Sequence, residues 1–258
     1  MKIGMMNNPR MNLLAEIAFA HDHGFDFLDL TMEPKAALPQ KINLAATKKA
    51  LEDHHLPTMG HTAYYLSFAS PYESLRQAAL EEIRLTLPVF AELGASRVSI
   101  HPDKSIPFAM GGKGIVQKNI ESFQEIEAMA RPLGIQILIE NMDRNFNTVE
   151  EFQEVFARLP NLGFHLDVGH ANLNVGKNQT EPFLQAFHDR LAHVHLSDNF
   201  GKGGDLHLPL GAGNIDWKKV VSLLKGFGYD GTITLEIFSI ERAYLLVSKE
   251  KLRELWGK

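Results

Sequence analysis

The sequence predicts a single eight-stranded parallel β/α barrel, and three observations carry that reading. Short apolar runs alternate with amphipathic stretches along the whole length, the pattern of strand followed by helix. Eight such units fit into 258 residues without a long linker, about the size of one barrel (roughly 250 residues). Four glycines, Gly24, Gly94, Gly134 and Gly228, stand between a helical stretch and the next apolar run. A left-handed helix cap is expected at each.

In chain order, the first strand is expected over residues 2–6, before a helical stretch at 13–23 and Gly24. The second and third strands fall at 25–30 and 58–61. A helix over 75–93, closed by Gly94, leads into the fourth strand at 97–101. Another over 116–131, closed by Gly134, leads into the fifth at 136–140. The sixth and seventh strands are expected at 162–167 and 191–196, and a helix over 217–227 precedes the eighth at 232–237. Across these helical stretches Ala, Leu, Glu and Ile recur at three- and four-residue spacing. An open doubly wound sheet usually carries a Gly-rich phosphate turn after its first strand. Here that turn reads Met6-Asn7-Asn8-Pro9, which favours closure into a barrel. No domain boundary is visible, and the Gly-rich stretch 199–214 reads as a functional loop.

Composition narrows the chemistry. Apolar residues make up 45% and charged residues 22%, the ordinary range for a soluble globular chain. No apolar run is long enough for a bilayer, and the start, MKIGMMNNPR, lacks a signal-peptide pattern, so a cytoplasmic protein without membrane partners is expected. Cysteine is absent, which excludes disulfides and thiolate metal sites. A net charge of −5 makes no electrostatic case for non-specific nucleic-acid binding. The 12 histidines stand out, because imidazole is the commonest metal ligand.

Polar residues gather where the strands end. His61, His101, Glu140, Asp167, His195 and Glu236 lie at or next to the ends of the third to eighth strands, and Glu33 follows the second. In a barrel these ends converge on one rim, where active sites sit. His170 follows Asp167 by three positions, and Asp205 and His207 are two apart, so an extended backbone would put them on one face. Together His61, His101, Glu140, Asp167, His170, His195, Asp205, His207 and Glu236 offer five imidazoles and four carboxylates. Such donors suit Zn, Mn, Fe or Co better than Mg, and nine of them could hold up to three ions. A strand-end histidine taken alone is a common hydrogen-bonded loop residue, and Asp167 or Asp205 could simply cap a turn. Glu140 is harder to dismiss, since an acid closing the run Ile137-Leu138-Ile139 has no packing reason to be there. His21, His23, His54, His55 and His188 lie on or beside helices and read as surface or packing residues. His165 and His193 share strand parity with Asp167 and His195, which points them inward as core groups or as supports behind the ligands.

With these residues in place, the chain resembles the xylose-isomerase-like barrel superfamily, which contains sugar (phosphate) isomerases and epimerases and endonuclease IV. The carrying segments are Gly60-His61-Thr62-Ala63-Tyr64, Ser99-Ile100-His101-Pro102, Ile139-Glu140-Asn141, Leu166-Asp167-Val168-Gly169-His170, Val194-His195-Leu196-Ser197-Asp198, the stretch 205–217 and Leu235-Glu236. For the isomerase branch the resemblance implies one divalent metal on Glu140, Asp167, His195 and Glu236. The two glutamates then act as acid/base groups on a small sugar or sugar phosphate. For the endonuclease IV branch it implies three zinc ions on all nine residues and a nucleic-acid substrate, with Tyr64 matching an aromatic of that branch. The stretch 31–39 lacks the basic and aromatic residues that branch uses to enter a duplex, and the loop after Asp198 offers only Lys202 to phosphates. Lys202 with the amides of 201–204 is a candidate to hold one sugar phosphate, the alternative being a plain flexible turn, while Tyr64 and Glu33 would line the substrate site. A sugar isomerase or epimerase is therefore the expected function, with an endonuclease-IV-like phosphoesterase second.

Overall fold

A computed structural model describes residues 1–104 and 111–257. Eight parallel strands close into a barrel in sequence order, and the ring shuts where β1 (Lys2–Met6) pairs with β8 (Thr232–Leu235). The others are β2 (Phe27–Thr31), β3 (Thr58–His61), β4 (Arg97–Ile100), β5 (Gln136–Glu140), β6 (Gly163–Asp167) and β7 (Leu191–Leu196). Among the described residues eight α-helices surround them. These are α1 (Leu13–Asp22), α2 (Leu44–Asp53), α3 (Glu73–Glu92), α4 (Gly111–Ala130), α5 (Val149–Arg158), α6 (Thr180–Phe187), α7 (Trp217–Gly226) and α8 (Ala243–Gly257). No described helix is long and apolar enough to cross a membrane.

The four expected glycine caps are present. Gly24, Gly94, Gly134 and Gly228 have φ of 63°, 83°, 70° and 75°. The residue after each donates its backbone N–H five positions back, as in Phe25 to Ala20 and Ala95 to Phe90. This closure moves one expected boundary. Phe25 belongs to the cap of α1 and Asp26 bonds to Ile3, so β2 runs from Phe27 to Thr31 rather than over 25–30. β4 and β8 end one and two residues earlier than expected, which leaves His101 and Glu236 as the first residues of their loops. α4 begins before its expected start at 116, because glycines at 112 and 114 hide its first turn.

Alternate residues of each strand face the barrel axis, and they stack in levels. At the lower end Phe27, Met59 and Leu138 form a small apolar plug, separate from the large core between strands and helices. Gly4 is required there, since a Cβ would meet the Phe27 ring at 2.4 Å. The level above the plug is polar: Asp29, Ser99, His165, His193 and Thr234 are all fully buried. They are paired in part with one another, with Ser99 Oγ 2.7 Å from His165 Nδ1 and the Thr234 hydroxyl donating to Asp29 Oδ2 at 2.9 Å, while Asp29 Oδ1 and His165 Nε2 have no hydrogen-bond partner among the described residues. Left unpaired, each would cost about 1–3 kcal/mol. The top level is the rim that carries His61, Glu140, Asp167, His195 and Glu236.

Candidate metal centre

The structure brings all nine rim residues into one connected cluster. Glu140 is its hub. Its Oε2 lies 3.2 Å from His61 Nε2, from His101 Nε2 and from His165 Nδ1, and its Oε1 lies 3.2 Å from His170 Nδ1. Beside it, His195 Nδ1 lies 3.3 Å from Glu236 Oε2 and 3.9 Å from Asp167 Oδ2. Asp205 Oδ2 sits between His170 Nε2 and His207 Nε2 at 2.9 Å from each, and His207 Nδ1 comes within 3.4 Å of Glu236. Three of the groupings whose ligand atoms are mutually close enough for one ion are His61/His101/Glu140, Glu140/Asp167/His170 and Asp167/His195/Glu236.

Local bonds explain how the chain presents them. The Asn141 side chain donates to the Asp167 carbonyl at 2.9 Å and accepts from the Asp167 N–H at 2.8 Å, which locks the ends of β5 and β6 together. Gly169 lets the chain turn tightly behind Asp167, because a Cβ there would meet Ser197 Oγ at 2.4 Å. The loop that carries Asp205 and His207 is stapled by Asp198. Its carboxylate accepts from the backbone N–H of Asn199, Gly211 and Ile215 and from Trp217 Nε1. Backbone bonds in both directions between Asp198 and Leu208, each 2.9 Å, complete the fold-back. His207 itself has φ of 46°, a left-handed conformation unusual for a non-glycine residue and typical of functional positions.

Among the described residues the carboxylates of the cage are paired with imidazoles rather than with Lys or Arg. Burial opposes ionisation of Glu140, yet the imidazoles of His101 and His165 hold its carboxyl well below the usual range. Burial and the carboxylates of Glu140 and Glu236 push Asp167 up to about 7. His207 is raised to about 9 by Glu236 and Asp205 against the cost of burial. His170 and His195 are raised well above the ordinary histidine value by their carboxylate neighbours, again against burial. Among the described residues no Lys or Arg pairs with Glu140, Asp167, Asp205 or Glu236. Buried Asp167 Oδ2, Asp205 Oδ1, His61 Nδ1 and His101 Nδ1 have no hydrogen-bond partner. Crowded carboxylates, imidazole nitrogens and orphaned acceptors fit a divalent metal ion.

Above the cluster opens a cavity of about 720 Å³. Glu236, His61, His101, His170, Asp205 and His207 line it, whereas Glu140, Asp167 and His195 lie beneath. Tyr64 and Glu33 also line it, and burial raises the Glu33 carboxyl. Lys202 is exposed and is not part of the lining. Its turn is held by Asn199 Oδ1, which accepts from Gly201 N–H, and by Asn174 N–H, which donates to the Gly201 carbonyl. The cations on the lining are Arg10, Lys104 and Arg242.

Reasoning from sequence overlooked Asp29. It is fully buried and lies 2.7 Å from His195 Nε2 and 3.3 Å from His193 Nε2. An available signal was an acid between Leu28 and Leu30 in a strand covered on both faces. His165 and His193 do point inward, as their parity implied.

Residues 17–255 match the model of the xylose isomerase-like TIM barrel family. The chain belongs to that family. A relative from Methanocaldococcus jannaschii, described as uncharacterized, is 32% identical over 243 residues, covering 90% of this chain and 81% of its own. A probable endonuclease 4 of Thermosipho melanesiensis is 26% identical, over 74% of each chain. Among solved structures, a D-tagatose 3-epimerase-like protein superposes with a TM-score of 0.88 at 29% identity, covering 100% of this chain and 97% of its own.

Proposed function

We propose that this family member is a divalent-metal-dependent isomerase or epimerase of a small sugar, a ketose first of all. The observation that carries the reading is one cavity of single-ligand size whose floor is the carboxylate and imidazole cluster. The likeness to a D-tagatose 3-epimerase-like protein supports the ketose. Glu140, Asp167, His195 and Glu236 would hold the ion, zinc first by donor type, with manganese, iron and cobalt as substitutes. When bound, it would polarise neighbouring hydroxyl and carbonyl oxygens of the sugar and so acidify the adjacent C–H.

The protein's own groups do the rest. Glu236 reaches the cavity and takes or returns the proton. Glu140, directly beneath, is the second acid/base group, and its Oε1 makes no well-aligned hydrogen bond that would occupy it. Tyr64 and Glu33 orient sugar hydroxyls at the wall. A neutral sugar is favoured over a phosphate. Lys104 is paired with Asp143 and Arg242 with Glu16, and Lys202 is off the lining, so Arg10 is the lining cation with no ion pair among the described residues. The test is incubation of metal-loaded protein with a panel of ketoses in deuterium oxide. Deuterium entering the carbon beside the carbonyl is expected, and no exchange into any ketose would sink the reading.

A second reading, a zinc phosphoesterase of the endonuclease 4 kind, is favoured by one observation. Asp205 bridges His170 and His207, a third constellation that isomerisation does not require. A nucleic-acid backbone needs more free cations than this cavity offers. Cleavage of a labelled duplex containing one abasic site, with three metal ions per chain, would establish it over the isomerase.

A further inference from the structure

We propose that Asp29, buried below the rim, is a positioning residue that fixes the ring orientation and tautomer of His195. The proposal rests on the reading of His195 as a metal ligand. Its two ring nitrogens are rigidly opposed, so anchoring one aims the other. Asp29 Oδ2 lies 2.7 Å from Nε2, while Nδ1 faces Glu236 at 3.3 Å and Asp167 at 3.9 Å. An ionised carboxylate only accepts hydrogen bonds. Nε2 must therefore carry a proton, and when the ring is neutral its lone pair falls on Nδ1, toward the two carboxylates that would share the ion with it. A carboxylate behind a metal-bound imidazole also raises its basicity.

Asp29 is itself held in place. The Thr234 hydroxyl donates to the same Oδ2 at 2.9 Å, and His193 Nε2 stands 3.3 Å away. The other nitrogen of His193 bonds with Thr232 Oγ1 at 2.8 Å. These residues come from β2, β7 and β8, so three strands converge on one carboxylate oxygen. Asp29 has no exposed surface, is not on the cavity lining and sits one level below the rim residues, so any effect it has on the site is exerted through His195. If it merely filled the barrel, its loss would lower stability and leave the metal affinity of the folded protein alone.

The near-isosteric Asp29→Asn separates these roles, because an amide can donate to Nε2 and favour the wrong tautomer. Zinc affinity would be measured by competition with a chromophoric chelator at a temperature where variant and wild type are both folded. A loss of roughly 10–100-fold is expected. Nitrogen-15 signals of labelled histidine in the zinc-loaded protein would show the wild-type pattern at His195, metal on Nδ1 and proton on Nε2, lost or mixed in the variant. A folded variant that binds zinc within about twofold of wild type, against that expected loss, and keeps the His195 pattern overturns the proposal. If Asp29→Asn does not fold, Thr234→Val carries the test: weaker zinc binding in the same direction, smaller in size, supports it, and unchanged binding overturns it. A wild type that takes up no divalent ion would sink the metal reading and this proposal together, an outcome distinct from an indifferent variant in a protein that binds metal.

Discussion

On the proposed reading Glu236 would both hold a cation and move a proton. Glu236→Gln keeps the shape and removes the base. Its deuterium-exchange rate on the active ketose should fall by about 10²–10⁴-fold, with the fold intact by circular dichroism. Protonation of the cluster gives a second expectation. His207, raised to about 9, contributes stability that is fully present below its ordinary value near 6.5 and is lost as pH climbs through 9. His170 and His195 are shifted in the same direction. Metal-free protein should therefore melt at a lower temperature at pH 9 than at pH 7, and a flat profile in chelator would contradict the assignment. On the proposed reading a metal would displace the proton of His195, so zinc affinity should rise over that interval. Residue by residue, legibility was uneven. Glu140 announced itself by closing an apolar run. Asp29 did not, because the partner that gives it meaning, His195, lies 166 positions away in the chain.

For elements, the loop from β7 to α7 shows how much can hang on one side chain. Asp198 holds three backbone amides and the Trp217 indole. Asp198→Ala leaves these donors without their acceptor. It should cost about 2–4 kcal/mol, since hydrogen bonds to a charged group contribute about 1.5–3 kcal/mol each but do not add fully. Asp205 and His207 ride on this loop, so limited proteolysis should cut the variant within 199–216 before any helix. Cleavage no faster than in wild type would refute this role. The helix-ending glycines could be read directly, because a residue in a left-handed cap has few alternatives. Lys202, expected at the substrate, is off the cavity lining; a Gly-rich stretch does not say which way it leans. The turn is fixed instead by Asn174 and Asn199, which bond to Gly201.

Taken whole, the barrel was the most legible feature, since eight strand and helix periods in this length leave few closed topologies. The levels inside it were not, because they depend on the register of strands far apart in the chain. The lower plug is small, and Leu138 is one of its three fully committed members. Leu138→Ala should cost about 2–5 kcal/mol, read as a drop in melting temperature, with little change in zinc affinity.

Above that plug the barrel interior is mostly polar among the described residues. Its upper two levels are filled by acids, imidazoles and hydroxyls, so a cation there would serve as both ligand and filling. At a free concentration a hundredfold above Kd, such an ion adds about 2.7 kcal/mol to the folded state. Scarcity of metal would then be felt as turnover. The same protein should be digested many times faster in chelator than in zinc, and its lifetime in a cell would track the metal supply.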